Sequence, residues 1–439
     1  MLLMKCKYYI SIINHGESRV SNSQEDFMED KALRKGLSVA AIILTTILAL
    51  LLSFNNANGL VYGEEVTLYG IPFIAAFAIP LLAVLIVLAR CCKSTDTVEE
   101  TMAAIASRYA IWGWCFIFPI KFASAALTLF FPEFYNAHFT TIYLLMNSFN
   151  VSVLGCLILG LSLKVLPSVK IEKKKLTFGQ IMILIMMVYG LAQVGSLMGL
   201  PIHTALSSVS LFGGNSSDDA LSSLKDSLII GSDTFIRIVT VGILPAIFEE
   251  LLFRKFLIDR TLRHGEFISC AMSGIMFGLW HGNFQQFFFA FFLGVLFAFV
   301  YIRTGRIIYT MILHASLNLV TSSVTVELLA ELMKRMGVDM NTGTMDPNID
   351  YDVMMKSVLP LILIILVWII VLVGFQIAGF VMLIVRRKKF KLMPIVGELP
   401  RKQILRTMTH SVTMWVFFTL ALLLFVYTYL PDILTLFIK

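Results

Sequence analysis

Residues 242–256, "GILPAIFEELLFRKF", read as one apolar helix until the chain reaches two adjacent glutamates and, four residues past the second, an arginine. In a hydrocarbon interior each such group costs roughly 2.5–3.5 kcal/mol, and residues of this kind face a bundle interior or a wet cavity. Three ionisable groups in so oily a helix need partners or a chemical role. The chain around them is equally apolar, with 58% hydrophobic and 14% charged residues and a mean hydropathy of +0.84. That balance excludes the soluble globular classes.

A membrane-spanning helix needs about 20 predominantly apolar residues. Runs of that kind fall at 36–54, 70–89, 110–131, 139–162, 178–200, 235–253, 266–282, 284–302, 307–322, 357–385 and 411–430. They are uniformly apolar, whereas the strands of a membrane barrel alternate. The expected fold is all-α: a polytopic transmembrane helical bundle of about eleven spans.

The formal net charge is +7, yet the basic residues sit in loops between spans and form no nucleic-acid-binding face. Lys31, Arg34 and Lys35 precede the first span, Arg90 and Lys93 follow the second, and Lys164, Lys170 and Lys173 to Lys175 follow the fourth. Lys255, Arg260 and Arg263, then Arg303 and Arg306, then Arg386 to Lys389 with Lys391, continue the alternation. Every second connection is basic, as retention of positive loops on the cytoplasmic side requires. A multi-pass protein of the cell membrane with a cytoplasmic N-terminus and the lipid bilayer as its surroundings is expected, with no nucleic acid among its partners. Lys5 and Lys7 interrupt the only apolar stretch before the first span, so no cleavable signal peptide is expected. The six cysteines show no repeated C-x-x-C spacing and argue against a disulfide framework or zinc ribbon.

The chain divides into four parts. Residues 1–35 are a polar cytoplasmic segment, containing the low-hydropathy stretch "HGESRVSNSQEDFMED". Residues 36–177 hold the first spans, where Lys121 stands alone and is read as snorkelling or paired with a carboxylate. Residues 178–322 carry nearly all the intramembrane polar chemistry and are taken as the functional core. Within it, "LFGGNSSDDALSSLKDS" has the composition of an outer loop. Residues 323–439 add a loop and two spans.

Three stretches of the core carry chemistry. On a helix, residues four apart share a face and adjacent residues do not. Glu250 and Arg254 can therefore pair, which leaves Glu249 as the carboxylate without a local partner and the candidate base. Pro245, four residues earlier, removes a backbone donor and kinks the helix. In "FGLWHGN", Phe277 and His281 share a face; in "HASLN", His314 and Asn318 do. A neutral imidazole binds water or metal, and an amide NH₂ donates to a developing oxyanion. Counting about 1.5 Å per residue from the nearest basic loops puts Glu249 and His281 roughly 16–22 Å from the cytoplasmic edge and His314 about 12 Å, so the three stretches can meet in one cavity.

Glu249-Glu250-x-x-x-Arg254, Phe277-x-x-x-His281 and His314-x-x-x-Asn318, in that order on successive apolar segments, resemble the signature of the CAAX protease and bacteriocin-processing family of intramembrane proteases, also called the Abi family. The likeness covers roughly residues 178–322. It implies a helical bundle that cleaves a peptide or membrane-associated protein substrate. Glu249 and His281 would activate the attacking water, His314 and Asn318 would stabilise the oxyanion, and Glu250, Arg254 and Phe277 would shape the site. Lys255 departs from the small residue common after the arginine. Family convention makes these metalloproteases. His281, His314 and Glu249 suffice as ligands for a catalytic zinc with an open position, and the same groups suffice to polarise water without a metal.

Other intramembrane protease types lack their motifs here: there is no H-E-x-x-H, no Gly-x-Ser-Gly and no Gly-x-Gly-Asp. Two readings outside catalysis remain. One is a bacteriocin-immunity or peptide-binding protein that captures without cleaving. The other is a proton-coupled transporter, which also uses intramembrane Glu and His.

Overall fold

The computed structural model describes residues 24–62, 64–207, 232–338, 345–346, 349–395 and 397–438. Residues 1–23 and most of the Ser- and Asp-rich loop lie outside that range, so the expectations for the N-terminal segment and that loop do too. The described residues are predominantly helical, with no strand among them. Each of the eleven expected segments falls on a helix, and nine described helices are long and apolar enough to cross a bilayer. The protein is therefore a multi-pass membrane protein.

These helices are α1 (Gln24–Tyr62), α2 (Glu64–Cys91), α3 (Val98–Phe130), α4 (Pro132–Val165), α5 (Phe178–Ser207), α8 (Phe284–Thr304), α9 (Ile307–Arg335), α10 (Tyr351–Val385) and α12 (Val412–Ile438). Between them lie α6 (234–261), α7 (Glu266–Trp280) and the short α11 (Arg401–His410). The two expected spans outside the nine are α6 and α7. α6 is long enough but carries Arg237, Glu249, Glu250, Arg254, Lys255 and Asp259. α7 is only 15 residues long, about 22 Å against a hydrocarbon core of about 30 Å. Most of α7 is buried by its neighbours, while α6 buries its polar half and leaves Phe235 and Ile243 exposed.

Two helices overrun their apolar windows. α1 begins among polar residues, where Asp30 and Arg34 approach to 3.7 Å at i, i+4 spacing. α9 continues to Arg335 through the amphipathic Thr325–Arg335, whose charged face hides it from a hydropathy scan.

α12 runs along α1, with Ser38 Oγ and Thr413 Oγ1 3.0 Å apart, so the last helix closes against the first. α2 and α3 complete that half, and α5, α8, α9 and α10 pack as the other. α7 lies against α8 at very close range: a Cβ added to Gly294 would sit 2.8 Å from Gly274 Cα. Small residues of this kind let membrane helices approach closely. Lys121 of α3 finds its partner in Tyr427 of α12 rather than in a carboxylate: it bonds the hydroxyl and lies 4.1 Å from the ring centroid.

The expected basic connections meet at one end of the bundle. Arg263 donates to Thr95 Oγ1 (3.0 Å), and His264 Nε2 lies 2.7 Å from Thr101 Oγ1. Val169 N–H donates to Asp259 O (2.6 Å) and Lys174 N–H to Thr304 O (2.8 Å). Glu266 pairs with Arg303 and also accepts from Met393 N–H (2.7 Å), which ties in the loop after α10.

Candidate functional site

α6 is not one regular helix. Two wide, π-type turns, Ile238–Ile243 and Leu251–Phe256, bracket the regular segment Leu244–Glu250. Pro245 sits in the first turn of that segment, so the kink expected from it takes the form of a wide turn just before it. A wide turn moves bonding from the i−4 to the i−5 carbonyl, and proline contributes no N–H at all. Carbonyls are left over, and in a membrane each must find another donor. Neighbouring helices supply them: Ser148 Oγ donates to Thr240 O (2.9 Å) and Asn318 Nδ2 to Val241 O (3.2 Å). At the second wide turn, the Tyr109 hydroxyl donates to Leu252 O and Ser273 Oγ to Phe253 O (3.0 Å).

This scaffold presents Glu249 and Glu250 to α9. Glu250 is fully buried, and its Oε1 meets both Arg254 Nη1 at 3.0 Å and His314 Nδ1 at 2.9 Å. The i, i+4 pair read from sequence is present, and an imidazole completes it from 64 residues away. The second nitrogen of the same ring, Nε2, faces Glu249 Oε2 at 3.9 Å. One histidine thus stands between two adjacent carboxylates, bonded to one and set back from the other. With Nδ1–H donated to Glu250, the neutral ring keeps an open lone pair on Nε2.

Arg254 is equally buried and lies against two aromatic faces, 4.3 Å from the centroid of Phe277 and 5.1 Å from that of Phe297. Phe277 also connects the two histidines. Its ring meets His281 edge-on at 4.9 Å and His314 edge-on at 5.8 Å. His281 stands just past the last residue of α7 and not within its body. Its Nδ1 bonds Phe277 O at 2.8 Å, which turns Nε2 outward as an acceptor.

The structure brings Glu249, Glu250, Arg254 and His314 into direct proximity, joins His281 to them through Phe277, and commits one Asn318 N–H to Val241 O. Phe297, Ser148 and Tyr109 were missed from sequence. They lie on other helices, and no local spacing ties them to the motifs. Among the described residues, no three His, Cys, Asp or Glu side chains are arranged to hold a metal ion. His314 is bound to Glu250, and His281 is separated from it by an aromatic ring. His314 Nε2, open toward Glu249 Oε2 at 3.9 Å, and His281 Nε2 are the imidazole nitrogens left for a ligand.

Fold and site together define a class: a polytopic helical membrane protein with a buried carboxylate–imidazole centre on a broken helix. Residues 231–320 match the model of a family described as type II CAAX prenyl endopeptidase, Rce1-like. That segment contains all three motifs and agrees with the CAAX protease resemblance. No curated protein and no solved structure matches the chain.

Proposed function

We propose that the protein is an intramembrane endopeptidase of the CAAX type that hydrolyses a peptide bond of a peptide or membrane-associated substrate with water activated by Glu249 and His314. The observation that carries this reading is the pair of His314 contacts, 2.9 Å to Glu250 and 3.9 Å to Glu249. The shorter one fixes the tautomer and direction of the ring, as the orienting acid does in a catalytic triad. The longer one exceeds a direct hydrogen bond and suits a water held between an acceptor nitrogen and a carboxylate. Glu249 takes the proton as the water attacks the carbonyl carbon, and the acid so formed returns it to the leaving amine. His281, whose Nε2 is an acceptor, is assigned to the attacking water beside Glu249, and the Arg254 charge behind Phe277 to the developing oxyanion. Asn318 is assigned to holding the wide turn under Glu249. This division departs from the one the family resemblance implies, in which His314 and Asn318 stabilise the oxyanion.

The test is cleavage of a quenched peptide library by purified protein in lipid vesicles. Glu249→Gln and His314→Ala are expected to lower kcat by at least about 10²-fold, and a chelator is expected to leave the rate unchanged. Peptide binding without turnover in the wild type, unaffected by Glu249→Gln, would make the protein a capture module instead. Loss of turnover with chelator and its return with added zinc would make the reaction metal-dependent.

A further inference from the structure

The turn that carries His281 is held by helices outside the matched segment 231–320. α12 crosses it so closely that a Cβ on Gly282, whose φ is +68°, would lie 2.7 Å from Leu424 Cβ. The single Thr428 hydroxyl proton is shared between Gly282 O at 3.0 Å and Leu424 O, one turn back in α12, at 2.9 Å. The Tyr429 hydroxyl accepts from Phe284 N–H at 2.9 Å, one of the first N–H groups of α8, which have no partner within their own helix. His203 Nδ1 of α5 lies 3.0 Å from the same hydroxyl, so α5, α8 and α12 converge on one oxygen. Asn283 fills the remaining corner: its Oδ1 accepts from Gln286 N–H, and its Nδ2 donates to His281 O at 2.9 Å. The residues on both sides of His281 are therefore pinned, Trp280 by stacking on Trp112 at 4.0 Å and Gly282 by α12.

His281 lies beyond the regular part of α7, so its own helix does not fix its backbone; the turn does. We infer that Thr428 and Tyr429 are positioning residues for His281, with His203 fixing the Tyr429 hydroxyl. The C-terminal span is thus part of the working site as well as part of the bundle. The inference rests on the role assigned to His281 above. Its chemistry is simple. Two neutral hydrogen bonds, to Gly282 O and from Phe284 N–H, fix the chain just after a glycine in the left-handed region and so set the direction in which the preceding imidazole leaves it. Loss of either lets the turn sample other conformations without removing any group that touches substrate.

The experiment compares Tyr429→Phe, Thr428→Val and Thr428→Ser with the wild type and with His281→Ala, as full-length protein in vesicles. Tyr429→Phe keeps the ring stacking, and Thr428→Ser keeps the hydroxyl. Tyr429→Phe and Thr428→Val are expected to lower kcat about tenfold with KM within about twofold, as for loss of an interaction made in the transition state. Thr428→Ser is expected to retain wild-type kcat. In parallel, amide exchange at Phe284 is expected to accelerate about 2- to 10-fold in Tyr429→Phe, as for one lost hydrogen bond. Wild-type kcat in both Tyr429→Phe and Thr428→Val while His281→Ala is inactive overturns the inference and leaves the proposed function standing. An inactive wild type, or a fully active His281→Ala, overturns the role of His281 instead. In that case unchanged exchange at Phe284 still removes the clamp and faster exchange still supports it.

Discussion

At the scale of residues, the centre depends on Glu250 serving two partners with one oxygen. Its Oε1 is the anion for Arg254 and the acceptor for His314, and all three groups are buried. Removing one member of a buried ion pair costs about 3–5 kcal/mol, because the other is left as an uncompensated charge, whereas replacing both is often close to neutral. Arg254→Met and Glu250→Gln alone are therefore each expected to lower thermal stability by that order in detergent, and the double variant to recover most of the loss. Cleavage should not recover with it, since His314 has lost the carboxylate that orients its ring. Parallel unfolding and turnover measurements on the three variants check this. Recovery of both properties together would show that Glu250 serves Arg254 alone.

At the scale of elements, the two wide turns of α6 decide where the site is. The wide turn and the N–H missing at Pro245 together free the carbonyls of Thr240 and Val241, and Ser148 and Asn318 answer them from α4 and α9. Asn318→Ala should cost about 1–3 kcal/mol, the penalty for a buried acceptor left without a donor. Pro245→Ala gives the helix back an N–H and should reduce that cost in the double variant. The two substitutions are thus expected to couple in a thermal-unfolding cycle. Additive effects would mean that Asn318 acts elsewhere.

The same elements mark the limit of what the chain disclosed before its fold was known. Contacts at i, i+4 were legible because helical geometry alone sets them: Glu250 with Arg254, and Phe277 with His281. The apolar runs were legible because lipid imposes length and composition. The His314–Glu250 bond, the carbonyls freed by the wide turns and the α12 clamp on Gly282 were not, since each joins residues far apart in sequence through packing. α7 was read as a full span because its apolar composition conceals its shortness, and His281 was accordingly read as lying within a helix rather than in the turn beyond it.

At the scale of the whole molecule, the way the loops assemble supports a proposed sidedness. Arg263, Lys174, Arg303 and Lys391 belong to four different connections, yet hydrogen bonds through Thr95, Thr304 and Glu266 draw those connections to one end of the bundle. A rim that concentrates lysine and arginine in short loops remains on the cytoplasmic side. Along α6, Glu249 lies 12 residues before Thr261 at this rim, about 18 Å away along the helix axis. The proposed peptidase site should therefore be reached from the cytoplasmic face. Single cysteines placed at Lys173 and Lys388 in a cysteine-free background are expected to react with a membrane-impermeant maleimide in inverted vesicles and to be protected in intact cells. A cysteine at Tyr351, at the start of α10 and so at the opposite end of that helix, should show the reverse. Labelling of Lys173 and Lys388 positions from outside intact cells would invert the protein and place its substrate on the other side of the membrane.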